Sequence, residues 1–380
     1  MKKMLMVATV PSMIGQFNMN NIQILQELGY VVHVACDFED RSVWTDERVE
    51  KFKNQLEEIS VKYFQVDFSR SPLKLFKHRK SYIQMKRIFA ENGYEFTHCH
   101  TPIASVICRL VAHKMRVKCI YTAHGFHFFK GASLINWVIF YPIEKFFSRW
   151  TDVLITINKE DYYRAKKRFC AKRNVLIPGV GIDTEKFTLA KSSIEEKRTA
   201  LGLSKDDFIL ISVGEVNENK NHRVIIEAVA KIQDNKVKYL ICGRGALEEE
   251  HRQRISELGL ENRVMLLGYR SDISECLNMA DVFVFHSKRE GLGLAAIEAM
   301  ACGLPIITSN VHGINDYSID GITGYKCSRE NVDEYRNAIE KLHLNEAFRK
   351  KCGENNQELA KVYDITKTNK IMTQVYTSLV

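Results

Sequence analysis

The run Arg289-Glu290-Gly291-Leu292-Gly293-Leu294-Ala295-Ala296-Ile297-Glu298-Ala299-Met300-Ala301-Cys302-Gly303-Leu304-Pro305 directly follows the apolar stretch Val282–Phe285. It reads as a strand, then a glycine-rich turn, then a helix over Ala295–Ala301. Two glycines let a ligand approach the backbone, and the free N–H groups of a first helical turn bind phosphate oxygens. Glu290 sits just before the helix and Glu298 inside it. Eight residues apart, they are not spaced as a tight carboxylate pair, so each is expected to accept hydrogen bonds from a different set of hydroxyls. Taken singly, a capping acid and a solvated helix acid would explain them. The glycines and the spacing together favour a ligand site.

The same alternation extends through the chain. Short runs rich in β-branched and aromatic residues occur at Met4–Ala8, Val31–Cys36, Tyr63–Val66, Phe96–His100, Cys119–Thr122, Val153–Ile157 and Val175–Ile177. A second series follows at Phe208–Val213, Tyr239–Cys242, Val264–Leu267, Val282–Phe285 and Ile306–Thr308, with helical patterns such as Arg223–Ile232 and Leu247–Leu258 between. Strands alternating with helices predict parallel sheets. The polar stretch Asp183–Lys205 separates the two series. The expected fold is therefore α/β, with two Rossmann-like doubly wound domains facing across a cleft, 1–186 and 187–362. Ligands of such sheets bind beyond the carboxyl ends of the strands.

Composition excludes other classes. The 380 residues are 45% hydrophobic and 27% charged, with only 6 prolines, the balance of a folded globular protein. No apolar run reaches the ~18 residues of a membrane span, and the basic, apolar start lacks the length and cleavage site of a signal peptide. Ten cysteines without a C-x-x-C read as buried thiols in a reducing compartment, which predicts a cytoplasmic protein. The net charge of +9 is uneven: residues through Lys186 hold 29 basic and 18 acidic side chains, the rest 26 and 28. Arg70–Arg87 is densest, with Arg70, Lys74, Lys77, Arg79, Lys80, Lys86 and Arg87, no acid, and interleaved Leu73, Leu75, Phe76, Tyr82, Ile83 and Met85. This is either a helix packed on its own domain or a surface for an anionic membrane. No nucleic-acid-binding signature accompanies the charge, so nucleic acid is not an expected partner.

The common nucleotide motifs are missing. There is no G-x-x-x-x-G-K-[ST], and the turn after the first strand, Thr9-Val10-Pro11-Ser12-Met13-Ile14-Gly15, is not G-x-G-x-x-G. Gly243-Arg244-Gly245 follows a strand, but Glu248 stands in place of a third glycine. Ser212-Val213-Gly214-Glu215-Val216-Asn217-Glu218-Asn219-Lys220-Asn221 is a second strand-to-helix turn, from which Lys220 can reach a diphosphate.

These residues resemble the family-four retaining glycosyltransferases of the GT-B fold. The family's E-x7-E motif matches Glu290 and Glu298, and its glycine-then-lysine phosphate loop matches Gly214 and Lys220. Ile177–Asp183 and Thr122-Ala123-His124-Gly125 resemble further family segments. His98-Cys99-His100-Thr101-Pro102, His124-Gly125-Phe126-His127 and Thr156–Asp161 narrow the likeness to bacterial capsule and exopolysaccharide transferases. The resemblance implies that Glu290 binds the donor sugar, Glu298 the ribose, and Lys220 the diphosphate. Gly291, Leu292, Gly293 and Leu294 would offer N–H groups, His124 would contact the donor sugar, and Gly15 would lie near the phosphates. Arg244 and Tyr269 would border the nucleoside, and His98, His100 and His127 would face the acceptor. The resemblance implies a catalytic set of His124, Lys220 and Glu290, and the segment 363–380 would pack back on the first domain. Glu215 departs from the family, which commonly has arginine there; Arg289 or Arg244 could compensate.

With no Asp-x-Asp in the sequence, the leaving diphosphate is expected to be stabilised by a helix N-terminus and lysine, with no metal or other cofactor. Zinc on the four histidines is a weaker alternative, since no carboxylate or cysteine has ligand spacing beside them. The resemblance implies front-face attack with retention, and transfer of a hexose or N-acetylhexosamine from a nucleotide sugar, UDP-linked by resemblance. The acceptor would be a lipid-linked saccharide in capsule or exopolysaccharide synthesis, met by a peripheral enzyme on the inner face of the membrane. Leu134–Phe147 could insert there, although a buried helix is the favoured reading. The rival functions are a sugar-nucleotide 2-epimerase of the same architecture and a non-catalytic partner subunit of a transferase.

Overall fold

A computed structural model describes residues 2–187 and 194–379; residues 188–193, within the stretch read as the junction, and the final residue of the C-terminal segment lie outside the described residues. The first sheet contains β1 (Lys3–Val7), β2 (Val31–Cys36), β3 (Lys62–Gln65), β4 (Phe96–His100), β5 (Lys118–Ala123), β6 (Val153–Thr156) and β7 (Arg173–Leu176). The second contains β8 (Phe208–Val213), β9 (Val237–Cys242), β10 (Val264–Gly268), β11 (Val282–Phe285), β12 (Ile306–Ser309) and β13 (Gly324–Cys327). Strand order is β3-β2-β1-β4-β5-β6-β7 in one and β10-β9-β8-β11-β12-β13 in the other, all parallel. The apolar runs drive this arrangement. Met4 to Val7 and Ile209 to Ile211 are fully buried, as strands covered by helices on both faces must be. Burying each such side chain contributes about 1.5–3 kcal/mol.

Each sheet reverses its winding once, between β1 and β4 and between β8 and β11, and loops diverging from such a point leave a crevice. In the first sheet the β1 and β4 loops are tied there by Thr101 Oγ1, which accepts from Thr9 N at 3.0 Å and lies 2.7 Å from Thr9 Oγ1.

The chain parts into two compact units, 1–180 with 366–380, and 181–365. These bounds differ by a few residues from 186/187 and 362/363. The segment after Gly181 is polar but belongs to the second unit: Ile182 N donates to Tyr363 O at 3.0 Å, Ile365 N to Ile182 O at 2.9 Å, and Thr184 Oγ1 to Asp364 Oδ2 at 2.7 Å. From Thr366 the chain packs on the first sheet, where Tyr376 is buried against Phe96.

The helix Leu75–Asn92 takes something from both readings of the basic segment. Ser81, Met85, Ile88 and Phe89 pack inward, while Leu73, Leu75, Phe76 and Ile83 are exposed. The helix Leu134–Ser148 departs from the favoured buried reading. One face is anchored by the buried pair Arg109 Nη2–Glu144 Oε2 at 2.9 Å, with Tyr121 Oη donating to Glu144 Oε1 at 3.0 Å. The opposite face leaves Leu134, Ile135, Val138, Ile139, Ile143 and Phe146 in solvent, with Leu134 82% exposed. Cys99, Cys108 and Cys119, scattered in sequence, bring their sulfurs within 4.8 Å of one another in the core. Among the described residues they are the one such group of potential metal ligands.

Candidate active site

In the second unit the turns after β8 and β11 meet at the point where the sheet reverses. Lys220 Nζ donates to Glu290 Oε2 at 2.7 Å, and the ammonium also lies 4.9 Å from the centre of the Phe285 ring. The backbone fixes both partners. Asn217 Oδ1 accepts from Lys220 N at 3.0 Å, His286 Nδ1 bonds Lys220 O, and Asn219 Nδ2 donates to Arg289 O at 3.0 Å. Lys288 N donates to Asn219 O at 2.7 Å, joining the two turns through their main chains. Burial lowers the His286 pKa to about 3, so it serves this lock as a neutral ring.

Gly293 caps the helix Leu294–Ala301 at φ 88°, and a Cβ there would lie 2.4 Å from Phe285 Cε1. The turn that follows Glu290 is therefore open to glycine alone. Gly291 and Leu292 precede this cap and Leu294 begins the helix, so the segment turns its backbone into a helix start beside the Lys220–Glu290 pair. Gly313 closes it from the other side. Its N–H donates to Glu290 O at 3.1 Å, and a Cβ would come within 1.9 Å of Gly291 O.

Glu298, half-buried on the first turns of this helix, makes no side-chain hydrogen bond among the described residues, and burial raises its pKa to about 7. A carboxylate held without donors is suited to hydroxyls brought by a ligand. Arg244 and Tyr269 are exposed at the ends of β9 and β10, where Gly243 N donates to Gly268 O at 2.8 Å. The Gly243-Arg244-Gly245 turn proves to be a packing device. A Cβ on Gly243 would meet Gly214 O at 1.8 Å and one on Gly245 would meet Val216 O at 2.2 Å, while Glu248 Oε1 accepts from Gly245 N at 2.8 Å. Gly214 in turn lies against Lys220, with 3.2 Å from its would-be Cβ to Lys220 Cε. Glu215 is exposed, and neither Arg289 nor Arg244 has an ion-pair partner among the described residues.

The first unit holds the other predicted residues. His124 Nε2 lies 3.1 Å from His100 Nδ1, and burial lowers the His124 pKa to about 4, leaving a neutral imidazole. His100 is 1% exposed and its Nε2 has no hydrogen-bond partner among the described residues. Both line a small pocket with Phe17, Asn21, Thr122 and Thr368. His127 stacks on Phe140 at 4.4 Å. Two predicted residues are placed differently from the reading. His98 is fully buried with both nitrogens engaged, Nδ1 with Tyr376 Oη at 2.9 Å and Nε2 with Thr122 Oγ1 at 2.8 Å. It ties the C-terminal helix to the sheet and offers nothing to an acceptor. Gly15 lies within the helix Pro11–Phe17, and a Cβ there would sit 2.5 Å from Trp44 Cη2; it is small so that Trp44 and Phe52 can pack.

The family model "Glycosyl transferase 4-like" matches residues 7–158 and "Glycosyl transferases group 1" matches residues 193–359. EpsD of Bacillus subtilis, itself assigned to the glycosyltransferases, is 34% identical over 99% of this chain and 97% of its own. The chain belongs to the family-four glycosyltransferases. A UDP-Gal:alpha-D-GlcNAc-diphosphoundecaprenol alpha-1,3-galactosyltransferase of Escherichia coli is 30% identical over 74% of each chain. Among solved structures, Anabaena Alr3699/HepE in complex with UDP-glucose superposes with a TM-score of 0.80 at 20% identity, covering all of both chains, a likeness of GT-B fold. Within this glycosyltransferase, motif reading missed His286, Asn217, Asn219 and Gly313, which hold the site without touching its open face. It also missed Tyr317, buried with a hydroxyl that has no partner among the described residues, whose pKa is raised by burial and further by Glu290. Only the small Gly313 could have been suspected from sequence.

Proposed function

We propose that this glycosyltransferase moves a hexose or N-acetylhexosamine, with retention and without a metal, from a UDP-sugar to a lipid-linked saccharide in capsule or exopolysaccharide synthesis. The observation that carries the donor half is the Lys220–Glu290 ion pair beside a glycine-capped helix start at the reversal of the sheet. On this reading the diphosphate takes Lys220 from Glu290, releasing the carboxylate for sugar hydroxyls. N–H groups of Gly291 to Leu294 and the ammonium stabilise the charge that grows on the leaving phosphate. The leaving phosphate takes the acceptor's proton, so no side chain has to form a covalent intermediate. Glu298 accepts from the ribose hydroxyls, Arg244 and Tyr269 border the nucleoside, and Gly214 lets Lys220 lie close to its own loop. In the first unit the neutral His124, 3.1 Å from His100 Nδ1, is the candidate hydrogen-bonding group for the sugar, and His100 and His127 are the candidates for the acceptor.

Relatives support the acceptor half: one is named for a diphosphoundecaprenol substrate and another, CapM of Staphylococcus aureus, for capsular polysaccharide biosynthesis. No helix among the described residues is long and apolar enough to cross a membrane. The exposed apolar face of Leu134–Ser148 and the basic helix Leu75–Asn92 suit peripheral attachment to an anionic inner leaflet. The test is transfer from a panel of UDP- and GDP-sugars to polyprenyl-diphosphate saccharides, with product anomeric configuration read by NMR and a parallel assay in chelator. Transfer with retention from a UDP-sugar is expected. Epimerised donor without transfer, or activity that chelator removes and divalent metal restores, would overturn the reading.

A further inference from the structure

We propose that Cys99, Cys108 and Cys119 form a three-sulfur site for a cuprous ion in the core of the first unit. The ion is structural and takes no part in transfer, so this inference stands apart from the donor and acceptor reading above.

Three elements bring the thiols together. Cys99 is on β4, Cys119 is on β5, and Cys108 is in the helix Pro102–Met115, which packs on both strands. All three are fully buried. Cys99 Sγ lies 3.8 Å from Cys119 Sγ, and all three sulfurs are within 4.8 Å of one another. Thiolate sulfurs ~2.3 Å from one ion in a trigonal plane are ~4.0 Å apart, so the cluster stands within ~1 Å of ligating geometry. A disulfide between Cys99 and Cys119 would need sulfurs ~2.0 Å apart and would leave Cys108 unexplained. Side chains alternate across a strand, so Cys99 points away from the face of β4 that carries His98 and His100.

The surroundings select the ion. Thr97 Oγ1 is 3.3 Å from Cys108 Sγ but donates to Leu5 O at 2.9 Å. Tyr121, two residues beyond Cys119 on the same strand face, donates to Glu144 Oε1, and Arg109 Nη2 donates to Glu144 Oε2, so both oxygens of that carboxylate are taken. Among the described residues no histidine or carboxylate joins the three sulfurs. Zinc in structural sites takes four ligands, and calcium and magnesium need oxygen. Three sulfurs without a fourth donor fit a cuprous ion, which soft thiolates favour. Burial opposes charge on Cys99, while hydrogen bonds with Cys108 and Cys119 and the positive charge of Arg109 favour its thiolate. Each sulfur that binds as thiolate releases its proton to solvent, and no electron is transferred.

The full chain carrying Cys170→Ser, which removes the exposed thiol, is the protein to test. Reduced and kept free of oxygen, it is titrated into the cuprous complex of bathocuproine disulfonate, whose colour reports the ion withdrawn. One ion per chain should be withdrawn, X-ray absorption should show three sulfur neighbours, and zinc should not displace it. The loaded chain should unfold at higher urea than the ion-free chain. Cys99→Ala, Cys108→Ala and Cys119→Ala should each weaken binding by about tenfold or more and abolish that shift. Where an alanine variant does not fold, the absorption spectrum decides, because no other three thiols converge among the described residues. No withdrawal of the ion, fewer than three sulfur neighbours, or unchanged affinity in all three variants would overturn the site and leave the transferase reading intact.

Discussion

Replacing Glu298 by Gln should stabilise the ligand-free protein at alkaline pH and do little in acid. Burial raises the Glu298 pKa from an ordinary 4.5 to about 7. Between these values the folded state binds more protons than the unfolded chain, so stability falls as pH rises through the window and the loss is complete above the folded pKa. At about 1.4 kcal/mol per unit the ceiling is roughly 3 kcal/mol, and the part of the side chain open to water reduces this to about 1–3 kcal/mol. Glutamine carries no charge at any pH and escapes the penalty. Urea unfolding of both proteins from about pH 4 to 8, without nucleotide, measures it. The stability of the variant relative to wild type should grow from near zero at the acid end to about 1–3 kcal/mol at the other. The same variant should bind nucleotide more weakly, because an amide has one acceptor oxygen and no charge for the ribose hydroxyls. A pH-independent difference, or one of opposite sign, would refute the claim that this carboxylate is held buried and unanswered for a ligand.

Three further outcomes follow from the same geometry. Lys220→Ala should lower turnover by about 100-fold or more, each ~1.4 kcal/mol of lost transition-state stabilisation being a factor of ten, and steady-state transfer assays read it. Tyr376→Phe should cost about 1–3 kcal/mol by leaving His98 Nδ1 unbonded in the core, measured by denaturant unfolding, with donor binding unchanged. Val138→Asp on the exposed apolar helix should reduce sedimentation with anionic vesicles while leaving transfer to a soluble acceptor analogue intact; equal sedimentation would remove that helix from the membrane contact.

The sequence was most legible where backbone geometry and burial repeat. Twelve of the thirteen strands among the described residues stand out as β-branched or aromatic runs because parallel strands are buried on both faces. β13, Gly-Tyr-Lys-Cys, escapes because four residues with a glycine and a lysine at the sheet edge carry no such run. Glu290, Glu298 and Lys220 could be placed because a turn with glycines after a strand fixes where its side chains emerge. Side-chain facing was harder. His98 and His100 do share a strand face, with rings 4.2 Å apart, but only the contact with Tyr376, far along the chain, explains why His98 belongs to the core. Likewise, nothing local in Leu134–Ser148 tells that Glu144 faces inward to Arg109 while the aliphatic residues face water.

The central claim is that the β8 and β11 turns form the donor site around Lys220, Glu290 and Glu298. Calorimetric titration of UDP and of UDP-sugars into wild type, Lys220→Ala and Glu290→Gln tests it most directly. The account predicts that Lys220→Ala weakens UDP and UDP-sugar alike by about tenfold or more. It predicts that Glu290→Gln weakens the sugar nucleotide and leaves free UDP nearly unchanged. Wild-type affinity for UDP in folded Lys220→Ala, or equal losses for UDP and UDP-sugar in Glu290→Gln, would contradict it.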